Sequence, residues 1–231
     1  MPWGPRVAHA WTAGIAVACV SCTGQSLYTT PRTLNADDVQ VLLAPEYVTR
    51  TRASKPEPPL VDPGAEAPPP PASGAFHVGL RTGVGERGEL GMHGDLPGSF
   101  GVDGKWNAVR TAPFDLALMA RFTASGGATQ PVNGPYHDKG SVGAFLHLPV
   151  LLGFNVDRLT FVLSPGSVTL VNSTGHLTEG VRAGAAVQVR IASRFALQPE
   201  ASWMHEVAGP TDMGYAAFGL GFIFRALPSY P

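Results

Sequence analysis

Beyond Cys22 the chain contains no cysteine, so the fold after that point is built without a disulfide. Lysine is scarce as well: Lys55, Lys105 and Lys139 are the only ones. Charged residues of both signs reach 14%, against roughly 25% in an ordinary soluble domain. The formal net charge is -1 with no basic stripe, which leaves nucleic acid nothing to hold and excludes that class of partner. No apolar run approaches the ~20 residues that a membrane-spanning helix requires. Against these shortages stand 28 glycines and 22 prolines, which favour short strands and turns over long helices. Apolar content is ordinary at 44%, so the chain has apolar surface to place and little charge to coat it.

Residues 1–21 read as a secretory signal peptide, with Arg6 ahead of a mostly apolar stretch from about Ala8 to Val20. Its end resembles a bacterial lipobox, in which a cysteine becomes the lipidated first residue. Cys19 and Cys22 both qualify, neither with the usual leucine three positions earlier. Cys22 is favoured because cutting there leaves the longer apolar core and a polar tether, residues 22–36.

From there to the C-terminus the pattern alternates at period two. In "VRAGAAVQVRI", Val181, Ala183, Ala185, Val187, Val189 and Ile191 share one face, and Arg182, Gly184, Ala186, Gln188 and Arg190 the other. Strict alternation of this kind marks strands between two different environments. Ten such segments are expected, near 37–48, 75–84, 89–95, 100–109, 114–124, 142–154, 158–171, 180–192, 195–206 and 214–224. A Pro-rich loop or linker spans about 49–74. The glycines of "GVGERG" (83–88) match the G-x-G-x-x-G spacing of a dinucleotide site. The next residues, "ELGMHGD", alternate as a strand and not as a helix, so the reading is a hairpin turn with Gly85 and Gly88 at positive φ. Long and short connections also alternate, as in outer-membrane barrels, which keep short periplasmic turns and longer outer loops. The fold class is therefore all-β: an antiparallel transmembrane β-barrel over 37–228, of about ten strands with eight as the alternative. Ten strands place both termini in the periplasm.

The polar face separates a membrane barrel from a soluble one. It carries glycine and alanine with scattered charges of both signs, which suits a narrow lumen and not a water-facing surface. Phe76, Trp106, Phe154, Trp203 and Phe224 fall on the apolar face towards strand ends, as aromatic girdles do. Inward charges must be paired to be tolerated, so Glu46, Arg81, Glu89, Asp103, Lys105, Arg121, Arg182, Arg190 and Glu200 are expected to form a lumen network. Pro45-Glu46 and Pro199-Glu200 put proline inside strands, which implies a bulge or local loss of pairing and offers both glutamates to Arg182 or Arg190. His205-Glu206 reads as a solvated loop mouth.

The last strand, "YAAFGLGFIF", resembles the terminal signal read by the outer-membrane assembly machinery, with Gly219, Phe222 and Phe224 at matching positions. With "ELGMHGD", "GVDGKW" and "LQPEASW", it makes residues 75–224 resemble small bacterial outer-membrane barrels of the OmpA- or OmpX-like kind. Ala217 and the trailing "RALPSYP" depart from that pattern. The resemblance implies a Gram-negative outer-membrane location among its lipids, as a monomer. No G-x-S-x-G, H-E-x-x-H or H-x-x-E-H pattern is present. The expected function is non-enzymatic and cofactor-free: a structural or surface-exposed barrel with loop-mediated binding. A narrow, porin-like channel for small solutes is the alternative. A lipid A-modifying enzyme and a soluble lipid-binding barrel stand further off.

Overall fold

The computed structural model describes residues 26–53, 72–96, 98–125, 143–171, 177–208 and 213–226. The signal peptide, Cys19, Cys22 and most of the Pro-rich segment lie outside these residues. Eleven strands run in order: β1 (Val39–Ala53), β2 (Ala72–Val84), β3 (Gly88–Leu96), β4 (Ser99–Arg110), β5 (Phe114–Ser125), β6 (Gly143–Val156), β7 (Leu159–Leu163), β8 (Gly166–Val171), β9 (Leu177–Ala192), β10 (Phe195–Ala208) and β11 (Met213–Ala226). Each pairs antiparallel with its neighbours, and β11 returns to pair with β1 from Val39↔Ala226 to Ala53↔Met213. The sheet thus closes on itself and has no free edge.

β7 and β8 form a single stave. The register to β6 is the same on both sides of the gap, Leu152↔Leu163 and Pro149↔Gly166, and likewise to β9, Leu163↔Ala185 and Gly166↔Arg182. The interruption is Pro165, which has no N–H to give the ladder. Ser164 and Gly184 still exchange both backbone bonds, at 2.8 and 3.2 Å. The barrel therefore has ten staves, matching the ten segments of the sequence, and the eight-strand alternative falls away. At Pro45 and Pro199 the ladders to β11 and β9 skip a step without changing register, so local loss of pairing replaces a bulge.

One end of the barrel carries the short connections: 85–87, 111–113, 157–158 and 193–194. The other carries 54–71, 97–98, 126–142, 172–176 and 209–212. The glycine-rich motif forms the first short turn. Gly85 has φ 64° there, and it is the one positive-φ glycine among the described residues, so Gly88 does not share that conformation.

Burial is inverted relative to a soluble domain. Along β5, Phe114, Leu118 and Phe122 are exposed, while Asp115, Ala117, Met119, Arg121 and Thr123 are buried. Phe76, Trp106, Phe154, Trp203 and Phe224 all point outward. An apolar belt of this extent in water would cost free energy everywhere it is wet, which only an apolar solvent or a partner removes.

Candidate functional site

The lumen is not empty. An eight-strand barrel is just wide enough for its own side chains, so ten strands leave additional room. Residues Ser26–Leu34, "SLYTTPRTL", occupy it. Of these only Arg32 is exposed; Ser26, Leu27, Tyr28, Thr29, Thr30, Pro31, Thr33 and Leu34 are buried. The segment that the sequence reads as a polar tether is thus, from Ser26 on, a strap inside the barrel. It climbs from the short-turn rim at Leu34 to about mid-height at Ser26. Asn35–Asp38 then turn the chain into β1, with Asp37 at φ 69° and Gly83 N donating to Asp38 O at 3.2 Å.

An extended strap inside a closed sheet has no ladder partner, so side chains of the wall must satisfy its backbone. Glu200 accepts from the N–H groups of Leu27 and Tyr28, each at 2.7 Å. Tyr28 sits at φ 45°, a left-handed conformation unusual for a side-chain-bearing residue, and it turns the two successive N–H groups onto one carboxylate. Arg121 Nη1 donates to Ser26 O at 2.7 Å, and Arg81 Nη2 to Leu27 O at 3.3 Å. Lys105 Nζ donates to Thr29 Oγ1 and Thr30 O at 2.9 and 2.8 Å, and Asn107 Nδ2 to Pro31 O at 2.9 Å. Glu89 accepts from Leu34 N at 3.0 Å. Arg32 grips Asp115 through both Nε (3.1 Å) and Nη2 (3.3 Å).

Two apolar side chains lock the strap against opposite walls. Tyr28 packs on Leu42, Ala44, Ala196 and Ile223, and its hydroxyl donates to Glu46 at 3.2 Å. Leu27 packs on Ala117, Met119 and Leu151. Glycine makes the approach close enough: a Cβ at Gly219 would collide with the Tyr28 hydroxyl, and one at Gly153 with the Pro31 ring.

Eight of the nine residues expected to line the lumen are buried there: Glu46, Arg81, Glu89, Asp103, Lys105, Arg121, Arg182 and Glu200. Arg81 bridges Glu89 (3.3 Å) and Asp103 (3.1 Å), Lys105 meets Glu89 at 2.9 Å, and Arg182 lies 3.5 Å from Glu200. Arg190 is not among them. It is exposed at the short-turn rim, because two further steps along β9 carry the alternation past the end of the enclosed lumen. Glu206, expected as solvated, is buried at the long-loop end.

Above the strap, towards the long loops, lies a cluster that sequence reasoning does not assemble. His77 Nδ1 donates to Asp95, whose other oxygen accepts from Ser99 Oγ at 2.6 Å. The His77 ring stacks on His93, with centroids 5.6 Å apart. His93 Nε2 accepts from Arg121 Nε (3.0 Å) and lies 2.9 Å from Thr123 Oγ1, while its Nδ1 faces Asp103 at 3.5 Å. Among the described residues no group of three or more His, Cys, Asp or Glu side chains is placed to hold a metal ion.

No protein-family model and no curated protein matches the chain. It does resemble solved structures. One is the attachment invasion locus protein Ail of Yersinia pestis, at 9% identity and TM-score 0.35, covering 83% of this chain and 99% of that one. Another is the outer membrane protease OmpT of Escherichia coli, at 11% and 0.40, covering 87% and 99%. A third is the translocator domain of the autotransporter NalP from Neisseria meningitidis, at 12% and 0.38, covering 94% and 95%. All three TM-scores lie below 0.5, and the closed antiparallel barrel rests on this chain's own strand pairing.

Proposed function

We propose that this chain is a non-conducting bacterial outer-membrane β-barrel, closed by its own residues 26–34 and acting through what its long-loop end presents. The observation that carries this reading is the strap. It fills the lumen on the short-turn side, and Glu89, Lys105, Asn107, Asp115, Arg121 and Glu200 bind it instead of lining an aqueous path. The apolar outer belt supports membrane residence, and the short turns then face the periplasm with the long loops outside. The role is non-enzymatic, since the lumen's ionised side chains are largely committed to one another or to the strap. Acylation at Cys22, a monomeric state and recognition by the assembly machinery belong to the same reading. Phe224 faces outward with its ring beside that of Phe195, whereas Gly219 turns inward against Tyr28.

Planar-bilayer recording of the purified, heat-modifiable barrel tests it. The native chain is expected to be silent. Steady conductance from folded protein would refute the plugged reading and favour a narrow channel. Fractionation adds the location: recovery without detergent in the soluble fraction would remove the membrane assignment.

A further inference from the structure

Three arginines converge at the short-turn rim. β9 ends there, the 193–194 turn leads into β10, and β11 ends beside it, so Arg190, Arg194 and Arg225 meet from three sides. The ladder fixes the meeting: Arg225 N donates to Arg194 O at 2.9 Å, and Arg190 stands opposite Ala196, which stands opposite Ile223. Between Ala192↔Phe195 and Arg190↔Ala196, β9 carries one extra residue, Ile191, and such a bulge re-aims side chains at the rim of a barrel. The three arginines line a single recess, floored by the buried Gln188, Ala196 and Ile223. No aspartate or glutamate lines it.

None of the ion pairs among the described residues involves Arg190, Arg194 or Arg225. Arg225 is half-buried. It feels Arg190 as a like charge, and Glu89 and Asp38 as opposite charges from beyond ion-pair distance. Those two acids are already engaged, Glu89 by Lys105, Arg81 and the Leu34 N–H, and Asp38 by Asn35 Nδ2. Crowding like charges costs free energy, and an anion placed between them reverses the sign of the interaction.

We infer that this recess binds a phosphate group. The number of guanidiniums sets the preference: a tetrahedral phosphate offers oxygens to three donors at once, whereas a planar carboxylate meets two. The enclosed part of the recess is about 10 Å³, room for one water-sized group. One phosphate oxygen therefore enters beside Arg225, and the others stay at the opening, within reach of the exposed Arg190 and Arg194. Ser193, on the same wall, adds a hydroxyl. A free phosphate and a lipid headgroup at the membrane edge share this chemistry. On the orientation proposed above the site faces the periplasm, while the binding itself holds whether or not the barrel conducts.

The test is isothermal titration of the full folded barrel, in maltoside micelles and a phosphate-free buffer, with sodium phosphate, dihexanoyl phosphatidic acid and sodium acetate in separate arms. Saturable binding of phosphate near one per chain is expected, with acetate about tenfold weaker or more for want of one charge-assisted hydrogen bond. Tighter binding of the lipid than of the free ion assigns the site to a headgroup, and equal or weaker binding assigns it to free phosphate. Arg225→Gln should weaken binding about tenfold or more, the loss expected for a hydrogen bond to a charged group. Arg87→Gln, which removes an exposed arginine from another short turn of the same rim, should leave it unchanged. If Arg225→Gln yields no folded barrel, Arg190→Gln combined with Arg194→Gln, both at exposed positions, carries the comparison and should weaken binding as well. Absence of saturable heat with both phosphates, acetate binding as tightly as phosphate, or an equal loss in Arg87→Gln would each overturn the proposal.

Discussion

Replacing Glu200 with alanine should loosen the strap more than any other single change on the barrel wall. The carboxylate accepts two charge-assisted bonds from the strap at 2.7 Å, one from Gln198 Nε2 at 3.4 Å, and sits 3.5 Å from Arg182. Alanine strands the N–H groups of Leu27 and Tyr28 in a closed lumen, at about 1–3 kcal/mol each. It also leaves Arg182 without that carboxylate. Water admitted through the vacated space recovers part of this, so about 3 kcal/mol is expected overall. For a chain of this size, that corresponds to roughly 6–12 °C in unfolding temperature. The assay is the heat-dependent mobility shift of the detergent-folded barrel on a gel, run beside Glu179→Ala, an exposed acid on β9 that should not move the transition. A Glu200→Ala barrel that folds to the native band and melts with the unaltered chain would refute the account of how the strap is held.

Other changes probe the remaining joints. Gly219→Leu places carbon where the Tyr28 hydroxyl sits, so it should displace the strap and show as lowered folded yield, with bilayer conductance in whatever folds. Lys105→Met removes the cation that joins Glu89 to Thr29 and Thr30, and should cost about 3–5 kcal/mol in urea unfolding, the loss typical of a broken buried pair. Leu118→Arg, on the outward face near mid-height, should cost about 2–4 kcal/mol in lipid vesicles, against about 0–1 for Val109→Arg near the rim. Equal costs at the two heights would argue against a bilayer around the belt. Arg190→Ala should leave the melting transition in place, because Arg190 lies outside the lumen network.

The staves were legible because one physical rule governs all of them. Alternation at period two survives when the barrel turns inside out; only the identity of the wet and dry faces changes. That rule placed Asp103, Lys105, Arg121 and Glu200 inside from their neighbours alone. It failed at Arg190, where alternation continues but enclosure does not, since strand length beyond the lumen cannot be read from period. The strap was illegible for a deeper reason. "SLYTTPRTL" is polar and aperiodic, and in a soluble protein such a run belongs in water. Here the interior is the polar phase, so serine, threonine and arginine mark a segment that can be buried. A faint signal existed in the wall: inward glycines at 153 and 219 leave volume that no barrel side chain fills. The histidine cluster needed the register of β2, β3, β4 and β5 together, which no local pattern contains.

The strap also constrains the order in which the molecule can be assembled. Residues 26–34 precede the first strand, yet they are gripped by Glu200 on β10, and they lie inside a ring whose last seam joins β11 to β1. Once that seam is zipped, an extended segment bearing Tyr28 and Arg32 would have to be threaded past the rim into a filled lumen. A sheet that curls around the strap meets no such barrier, because Asp115, Lys105 and Glu89 can take hold of it strand by strand before closure. The residues that seal the finished barrel would then also serve as the mandrel on which it is wound.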